Sequence, residues 1–413
     1  MNTDFAGLPR KEAEREFCLH SKFPPTDEQR EVIFSDAPRM LVVAGAGSGK
    51  TTTVSRKIAW NVLRNNVAPE RILGLTFSKK AAGELSDSAL KQIRIMKEEL
   101  GCGIAVPPAD GENFAQVSRQ IKADMNTPQI ATYNAFAADV ALNYAMLIGK
   151  DPRSRLITDA RRYQIMIRLV QCHEYTKEQS ELIGDISDAK MAEEALCLAA
   201  AVTDNCLSPG AVKAEVRREL AALDAVRAIP GTFRKKEAMG TEAAKSGLSE
   251  FLKKSIESLE QKLILLDLTE DYFAYKESES LLEYSDQVAW ATQIIEQVPA
   301  VAREISSRYD LVLLDEYQDT SVNQARFLHA LFKNVKTVCA VGDPNQAIYG
   351  WRGAGANALD HFVRQFGVKR EDIANLSVSF RNPENVLRAA NTITKGFAVG
   401  HCAQDLYLSL IHI

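Results

Sequence analysis

The apolar positions of the chain form four short continuous runs, and each run ends in a polar or glycine-rich segment. The runs cover residues 40–43, 72–75, 311–314 and 337–341. A strand that is apolar at every position is buried on both faces, which is typical of a parallel sheet covered by helices. Ligands bind at the carboxyl ends of such strands, where the polar segments of this chain lie. The pattern therefore predicts an α/β fold.

Helical patterns describe much of the remaining chain. Val54, Ile58 and Val62 recur every four residues, so residues 51–65 are predicted to form a helix that connects the first two strands. Residues 90–283 are rich in Ala, Leu, Glu, Lys and Arg, and the stretches 188–201 and 212–228 predict helices. This segment separates the first pair of strands from the second pair, which indicates a helical insertion into one α/β domain. Within it, residues 102–113 and 230–247 have the composition of turns and linkers.

Composition narrows the class of protein. The 413 residues, 46% of them apolar, are enough for two or three domains with buried cores. The 50 basic and 54 acidic residues give a net charge of −4, which excludes a protein that coats nucleic acid by bulk positive charge. The seven cysteines form no C-x-x-C pair, which argues against a disulfide framework and against a zinc site. With no apolar leader and no apolar run of about 20 residues, the sequence predicts a cytoplasmic protein without a membrane segment.

The segment after the first apolar run has the pattern of a phosphate-binding loop. It follows a predicted strand and precedes a predicted helix, so its glycines would let backbone N–H groups surround phosphate oxygens beside the helix N-terminus. Lys50 is predicted to hold the β- and γ-phosphates of a nucleotide, and the Thr51 hydroxyl to ligate Mg²⁺. The first glycine of the usual pattern is replaced by Ala44. The predicted loop comprises Ala44, Gly45, Ala46, Gly47, Ser48, Gly49, Lys50 and Thr51.

Two adjacent acidic residues end the third apolar run. Asp315 is predicted to bind Mg²⁺ through water, and Glu316 to orient and deprotonate the attacking water. Two solvated acids at a strand end are common in isolation. Together with a phosphate-binding loop upstream, the pair predicts a nucleoside triphosphatase.

Seven segments in this order resemble the motifs of the UvrD/Rep/PcrA-type superfamily 1A DNA helicases, and the resemblance extends over about residues 20–395. The motif after the fourth apolar run is close to that of the family over 14 consecutive positions. The resemblance implies a RecA-like P-loop fold and ATP-dependent movement on single-stranded DNA in the 3′→5′ direction. The resembling segments are residues 26–29, 76–82, 128–136, 284–286, 313–321, 341–354 and 379–382.

The resemblance also implies roles for single residues. Gln29 would read the adenine edge, Phe380 would stack on the base, and Thr52 stands where relatives often have an arginine beside the adenine. Gln346 would sense the γ-phosphate, and Arg381 would stabilise its charge during transfer. Single-stranded DNA would contact Thr76, Phe77, Thr132, Tyr133, Tyr349, Trp351 and Arg352, and Tyr349 and Trp351 would stack on its bases. Asn134 and Ala135 depart from the family, which usually has histidine followed by a small residue.

The resemblance divides the chain into parts of three domains. Residues 1–90 and 284–372 would form RecA-like domain 1A, residues 91–283 the helical insertion 1B, and residues 373–413 the start of a second RecA-like domain, 2A. Only 32 residues follow Arg381, too few for that second domain and its late motifs. We therefore expect the N-terminal part of a helicase that acts on single-stranded DNA and on junctions with duplex, with repair proteins as possible partners. A helicase–nuclease subunit and a DNA-binding short form that does not translocate stay open, and a P-loop kinase is a more distant alternative.

Overall fold

Ten strands lie among the residues that the structure describes, and six of them form one sheet. The structure is a computed structural model that describes residues 5–21, 23–100, 127–228, 242–348, 357–394 and 407–408. Two compact units are present: Met1–Ile148 together with Ala291–Ile413, and Gly149–Trp290. The strands are β1 Arg39–Ala44, β2 Ile72–Thr76, β3 Gln129–Thr132, β4 Arg155–Leu156, β5 Leu281–Leu282, β6 Leu311–Leu314, β7 Thr337–Gly342, β8 Ile373–Leu376, β9 Val378–Ser379 and β10 Tyr407–Leu408.

The large sheet of the first unit has the order β3-β2-β6-β7-β1-β8, and all neighbouring strands are parallel. The four strands predicted from the apolar runs are its four central strands, and they are almost entirely buried. Because the strands are parallel, their carboxyl ends lie along one edge, as the sequence predicts. The predicted α/β fold with a parallel sheet is thus confirmed.

Fifteen α-helices lie among the residues that the structure describes. The helix predicted over residues 51–65 forms as α3, and the two helices predicted near residues 188–228 form as α8 and α9. The helices are α1 Arg10–Leu19, α2 Asp27–Phe34, α3 Lys50–Leu63, α4 Lys79–Glu99, α5 Tyr133–Tyr144, α6 Asp159–Cys172, α7 Lys177–Ile183, α8 Asp188–Asp204, α9 Pro209–Ala228, α10 Glu242–Ser278, α11 Tyr284–Gln297, α12 Pro299–Ser306, α13 Val322–Phe332, α14 Ala358–Phe366 and α15 Glu384–Thr394.

An aromatic cluster closes the core of the first unit beside α3. Trp60 on α3 is 2% exposed, and the rings of Phe5, Phe17 and Phe34 meet it edge-on with centroids 4.6–6.0 Å away. Edge-to-face packing of this kind stabilises aromatic pairs beyond the area they bury. The cluster joins α1, α2 and α3 to the sheet, and it thereby supports the helix that follows the glycine-rich loop.

The second unit is helical and has its own core, in which residues of α6, α8 and α10 pack together. A buried group of charges lies beside this core. Lys276 on α10 donates to Glu283 at 2.9 Å and to Asp286 at 2.7 Å, and Tyr272 donates to Glu283 at 2.7 Å. Arg162 on α6 is 3.1 Å from the other oxygen of Glu283. Opposite charges are thus paired where solvent is excluded, which burial of such groups requires.

Three segments differ from the sequence-based division. The second unit begins at Gly149, whereas the sequence predicts an insertion from residue 91, because α4 packs on α3 and β3 joins the large sheet. Residues 373–376 are predicted to open a second α/β domain, yet they pair with β1 as the edge strand β8 of the first sheet. Residues 242–247 are predicted to be linker but belong to α10, while residues 102–113 and 230–241 lie outside the described residues.

Within the described part of the chain, no single helix is long and apolar enough to cross a membrane. The bent pair formed by Asp188–Asp204 and Pro209–Val226, with an angle of 107°, meets the length and composition criteria only when both helices are taken together.

Candidate active site

The loop between β1 and α3 turns back on itself before the helix begins. Gly47 and Gly49 have φ values of 78° and 80°, a left-handed conformation that glycine adopts without a steric penalty. The N–H and the hydroxyl of Ser48 both donate to the carbonyl of Gly45, at 3.2 and 2.8 Å. Gly49 is the N-cap residue of α3. Because glycine has no side chain that could accept from the first-turn N–H groups, these groups remain available to an anion. The loop therefore has the backbone of a phosphate cradle.

The first helical residue of α3 meets the end of a different strand. The Lys50 ammonium nitrogen lies 3.0 Å from Oε2 of Glu316, and the two side chains are 12% and 31% exposed. Glu316 itself has a φ of 50°, which is uncommon for a residue with a side chain and recurs at functional sites. The structure thus brings together two predicted catalytic residues that are 266 positions apart in the sequence.

Asp315 precedes this glutamate and is more deeply placed. It is 7% exposed, its Oδ1 is buried without a hydrogen-bond partner, and its N–H donates to Leu75 on the neighbouring strand at 2.8 Å. Burial raises the pKa of Asp315 to about 6, and the adjacent Glu316 charge adds to the shift whereas Lys50 opposes it. The predicted partner Thr51 is exposed on the first turn of α3, as is Thr52.

A chain of hydrogen bonds joins the ends of β6 and β7. The amide nitrogen of Gln318 donates to Glu316 at 2.9 Å and to Asp319 at 3.2 Å, and its oxygen accepts from the N–H of Asp343 at 3.0 Å. Gln346 donates to the Asp343 carboxylate at 2.6 Å. Burial raises the pKa of Asp319 to about 6 and raises that of Asp343 as well. Gln346 is therefore connected to Glu316 through two intervening residues, Asp343 and Gln318.

The segment that follows β8 covers the phosphate-binding loop from one side. The N–H of Phe380 donates to the carbonyl of Gly47 at 2.9 Å, and the Ser379 hydroxyl donates to Ala46 at 3.0 Å. A Cβ atom on Gly47 would lie 2.7 Å from the Cβ of Arg381, so the two backbones are in direct contact. Phe380 is half-buried and Arg381 is exposed, and both lie beside the loop. Their contacts with a nucleotide stay predictions.

Gln29 also packs on the loop, but its amide group already has protein partners. Its Nε2 donates to the carbonyl of Ser48 at 3.2 Å, and its Oε1 accepts from the N–H of Thr26 at 3.2 Å in a reciprocal capping box. The side chain is 5% exposed. The structure therefore places Gln29 at the loop, and its contact with adenine stays a prediction.

The residues predicted to contact DNA are only partly described. Thr76, Thr132 and Tyr133 are 0%, 9% and 3% exposed, so in this structure their side chains do not lie at the surface where a strand could bind. Thr132 caps α5 by accepting from the N–H of Ala135 at 3.1 Å, and the Tyr133 hydroxyl donates to the carbonyl of Asp315 at 2.8 Å. Phe77 is half-buried. The remaining predicted contacts, Tyr349, Trp351 and Arg352, lie outside the described residues.

Two contributors to the site have no assigned role in the sequence-based prediction. The Glu28 carboxylate accepts from the N–H and the hydroxyl of Ser377, which holds the start of the covering segment against α2. Gln318 is the second, and Gly342 makes room for it, since a Cβ there would lie 2.7 Å from the Gln318 oxygen. The signal for Gln318 is its position directly after a strand and a pair of acids. Glu28 has no comparable signal, because its partner is 349 positions away.

Comparison with known proteins gives a consistent result. The family described as the UvrD/REP helicase N-terminal domain matches residues 25–367. An ATP-dependent DNA helicase PcrA of Leuconostoc citreum is 24% identical over 89% of this chain and 38% of its own length. A probable DNA helicase II homolog of Rickettsia felis is 24% identical over 91% of this chain and 45% of its own. An ATP-dependent DNA helicase UvrD2 of Mycobacterium bovis is 26% identical over 89% of this chain and 43% of its own. The chain thus spans about two-fifths of the length of these relatives.

Proposed function

The chain belongs to the UvrD/REP helicase family, and from this premise we propose that it forms the ATP-binding and ATP-hydrolysing part of a DNA helicase. Relatives that carry the name ATP-dependent DNA helicase support the assignment, although the chain spans only about two-fifths of their length. Movement on single-stranded DNA in the 3′→5′ direction, action at junctions with duplex, repair-protein partners and a cytoplasmic location are parts of the same proposal.

One observation carries the proposal: Lys50 of the glycine-rich loop lies 3.0 Å from Glu316 at the end of β6. A lysine at the start of a helix and a carboxylate at the end of another strand of the same sheet are the two groups that phosphoryl transfer to water needs. The lysine and the first-turn N–H groups of α3 would hold the phosphates. The carboxylate faces the same space and is able to accept a proton from water.

The residues of the site fit a divalent cation. The buried Oδ1 of Asp315 has no hydrogen-bond partner, which is costly for a carboxylate unless a cation or water is bound there. Asp319 and Asp343 are two further carboxylates at the same strand ends, and Lys50 pairs with Glu316. Asp315 and the Thr51 hydroxyl would hold Mg²⁺ together with phosphate oxygens. Such an ion neutralises the charge that develops on the transferred phosphoryl group.

Hydrolysis then follows from the positions of the chain's own groups. A water oxygen attacks the γ-phosphorus, Glu316 accepts the water proton, and the bond to the bridging oxygen breaks to give ADP and phosphate. Lys50, which pairs with Glu316 in this structure, would pair with the phosphate oxygens once ATP is bound, and Arg381 beside the loop would add a second positive charge. Gln346 is connected to Glu316 through Gln318 and Asp343, so a change at the γ-phosphate would reach the segment that follows β7.

The domain assignment is part of the proposal. The first compact unit, with its P-loop and six-stranded parallel sheet, corresponds to RecA-like domain 1A, and the helical unit Gly149–Trp290 contributes to domain 1B. Residues that follow β8 would lead into domain 2A. The covering segment at Ser379–Arg381 would then be the part of that domain that reaches the nucleotide.

The experiment that tests the proposal measures ATP hydrolysis with and without single-stranded DNA. Lys50→Ala is expected to abolish turnover, and Glu316→Gln to lower it by about 100-fold or more while ATP still binds, because only the proton acceptor is lost. Lys369→Ala is a matched control, since that lysine is 73% exposed and its ion pair is with the exposed Glu371. Hydrolysis that persists unchanged in Lys50→Ala would refute the site.

A further inference from the structure

A buried tyrosine connects the first turn of α5 to the hydrolytic carboxylates. Tyr133 is 3% exposed, and its hydroxyl donates to the backbone carbonyl of Asp315 at 2.8 Å. Burial raises the pKa of Tyr133 well above its usual range, so the hydroxyl keeps its proton and acts as a donor. The predicted contact with DNA does not explain this bond, because it is directed into the protein.

The bonded carbonyl belongs to the peptide that joins Asp315 to Glu316. A peptide group is planar, so a bond to its oxygen also fixes the direction of the Glu316 N–H and the position of the Glu316 Cα. Glu316 holds a left-handed backbone conformation with a φ of 50°, which is unfavourable for a residue with a side chain. The N–H of Asp315 is bonded to Leu75 at 2.8 Å. Tyr133 therefore supplies the anchor on the other side of Asp315.

A second bond holds the same turn to the far end of the segment. The Asn134 side-chain oxygen accepts from Nε2 of Gln324 at 2.8 Å. The oxygen of the Gln324 amide in turn accepts from the N–H of Ser321 at 3.0 Å, within the capping box of α13. The turn at the start of α5 is therefore bonded directly to one end of residues 315–321, at Asp315, and is connected to the other end, at Ser321, through Gln324.

We propose that Tyr133 is a positioning residue, whose hydroxyl holds the Asp315–Glu316 peptide in the orientation that hydrolysis requires. Asn134 is the auxiliary anchor through Gln324. The inference rests on the proposed function, because it assigns a role within ATP hydrolysis at the same site. It predicts that loss of the hydroxyl changes the rate of the chemical step and leaves ATP binding intact, since the hydroxyl is bonded to the Asp315 carbonyl and not to Lys50 or the loop.

The test replaces the tyrosine by phenylalanine, which keeps the ring in the core and removes only the donor. Tyr133→Phe is expected to lower kcat for ATP by about 10-fold, the equivalent of one hydrogen bond, with KM and ATP affinity within about 2-fold of the unmodified chain. Tyr144→Phe is the matched control on the same helix. The Tyr144 hydroxyl donates to Glu304 at 2.9 Å and not to the backbone of Asp315, so its removal is expected to change neither kcat nor ATP affinity. Steady-state hydrolysis gives kcat and KM, and a single-turnover measurement with protein in excess gives the rate constant of the chemical step.

Three results would overturn the inference. One is an unchanged kcat in Tyr133→Phe. Another is a loss of ATP affinity as large as the loss of kcat, which would indicate general damage. If Tyr133→Phe does not fold, Asn134→Ala takes its place because Asn134 is exposed, and an unchanged kcat there would also overturn it. Failure of the proposed function is distinguishable, since it would appear as hydrolysis by the unmodified chain that Lys50→Ala does not change.

Discussion

Gly47→Ala tests whether the segment that follows β8 contacts the phosphate-binding loop. Compared with a control glycine of similar backbone conformation, it separates the cost of steric overlap from the cost of backbone strain. The change adds one methyl group at a position whose φ is 78°. The new Cβ would lie 2.7 Å from the Cβ of Arg381 and 2.9 Å from Oγ of Ser379, distances that require one of the backbones to move. The segment that covers the loop should therefore be displaced.

Gly367→Ala is the matched control for this substitution. Gly367 lies in the same compact unit and has a φ of 66°, but a Cβ there would meet nothing within 4 Å. Both variants carry the strain of a left-handed alanine, about 1–2 kcal/mol. Only Gly47→Ala adds overlap, for which overpacking in closely packed sites suggests about 1–3 kcal/mol more. The difference in unfolding free energy between the two variants is thus expected to be about 1–3 kcal/mol.

Two measurements check this expectation. Urea unfolding followed by circular dichroism gives the free-energy difference, and hydrogen–deuterium exchange of the peptide around residues 376–382 reports the displacement. Exchange at the N–H of Phe380, which donates to Gly47 at 2.9 Å, should be faster in Gly47→Ala and unchanged in Gly367→Ala. Equal stability and equal exchange in the two variants would show that the covering segment does not contact the loop as described.

The remaining predictions concern stability in each unit. Trp60→Ala should lower the free energy of unfolding by about 3–5 kcal/mol, because the indole is buried against Phe5, Phe17 and Phe34, and a loss below about 1 kcal/mol in urea unfolding would contradict the packing. Asp204 lies at the C-terminal end of α8, and burial raises its pKa from 3.8 to about 6, with nearby acidic groups adding to the shift. Since the folded-state pKa is the higher one, its stabilising contribution is present below pH 4 and is lost as the pH rises towards 6, at most about 3 kcal/mol in total. Asp204→Asn should therefore stabilise the chain at pH 8 and have little effect at pH 4, and a gain of equal size at both pH values would exclude this explanation.

The parts of the fold that could be predicted are those whose burial leaves a local pattern. The four central strands are apolar at nearly every position because helices cover both faces of the sheet, and α3 has a four-residue apolar repeat. The edge strand β3 was not predicted because it is partly exposed, and β8, which carries Asn375 in its centre, was assigned to a second domain and not to the edge of this sheet. An edge strand has a neighbour on only one side, so its sequence is less constrained.

The residues of the site could be predicted where reactive side chains or a glycine-rich loop come directly after a strand. The phosphate-binding loop, Asp315 and Glu316 each stand at a strand end, and the parallel sheet brings those ends together. The buried contacts of Tyr133 and Glu28 were not predictable, because each depends on a partner 182 or 349 positions away. Tyr133 shows the limit most clearly, since its motif indicates contact with DNA whereas its hydroxyl is bonded to the backbone of Asp315.

The most direct test of the central claim is the affinity of the chain for ATP in the presence of Mg²⁺, measured by titration calorimetry for the unmodified chain and for Lys50→Ala. The account places Lys50 on the phosphates, and a charge-assisted bond of about 1.5–3 kcal/mol corresponds to a loss of affinity of about 10-fold or more. We therefore predict Mg²⁺-dependent binding that weakens at least 10-fold in Lys50→Ala and is unchanged in Lys369→Ala. Equal affinity in Lys50→Ala and the unmodified chain would contradict the assignment of this loop as the nucleotide site.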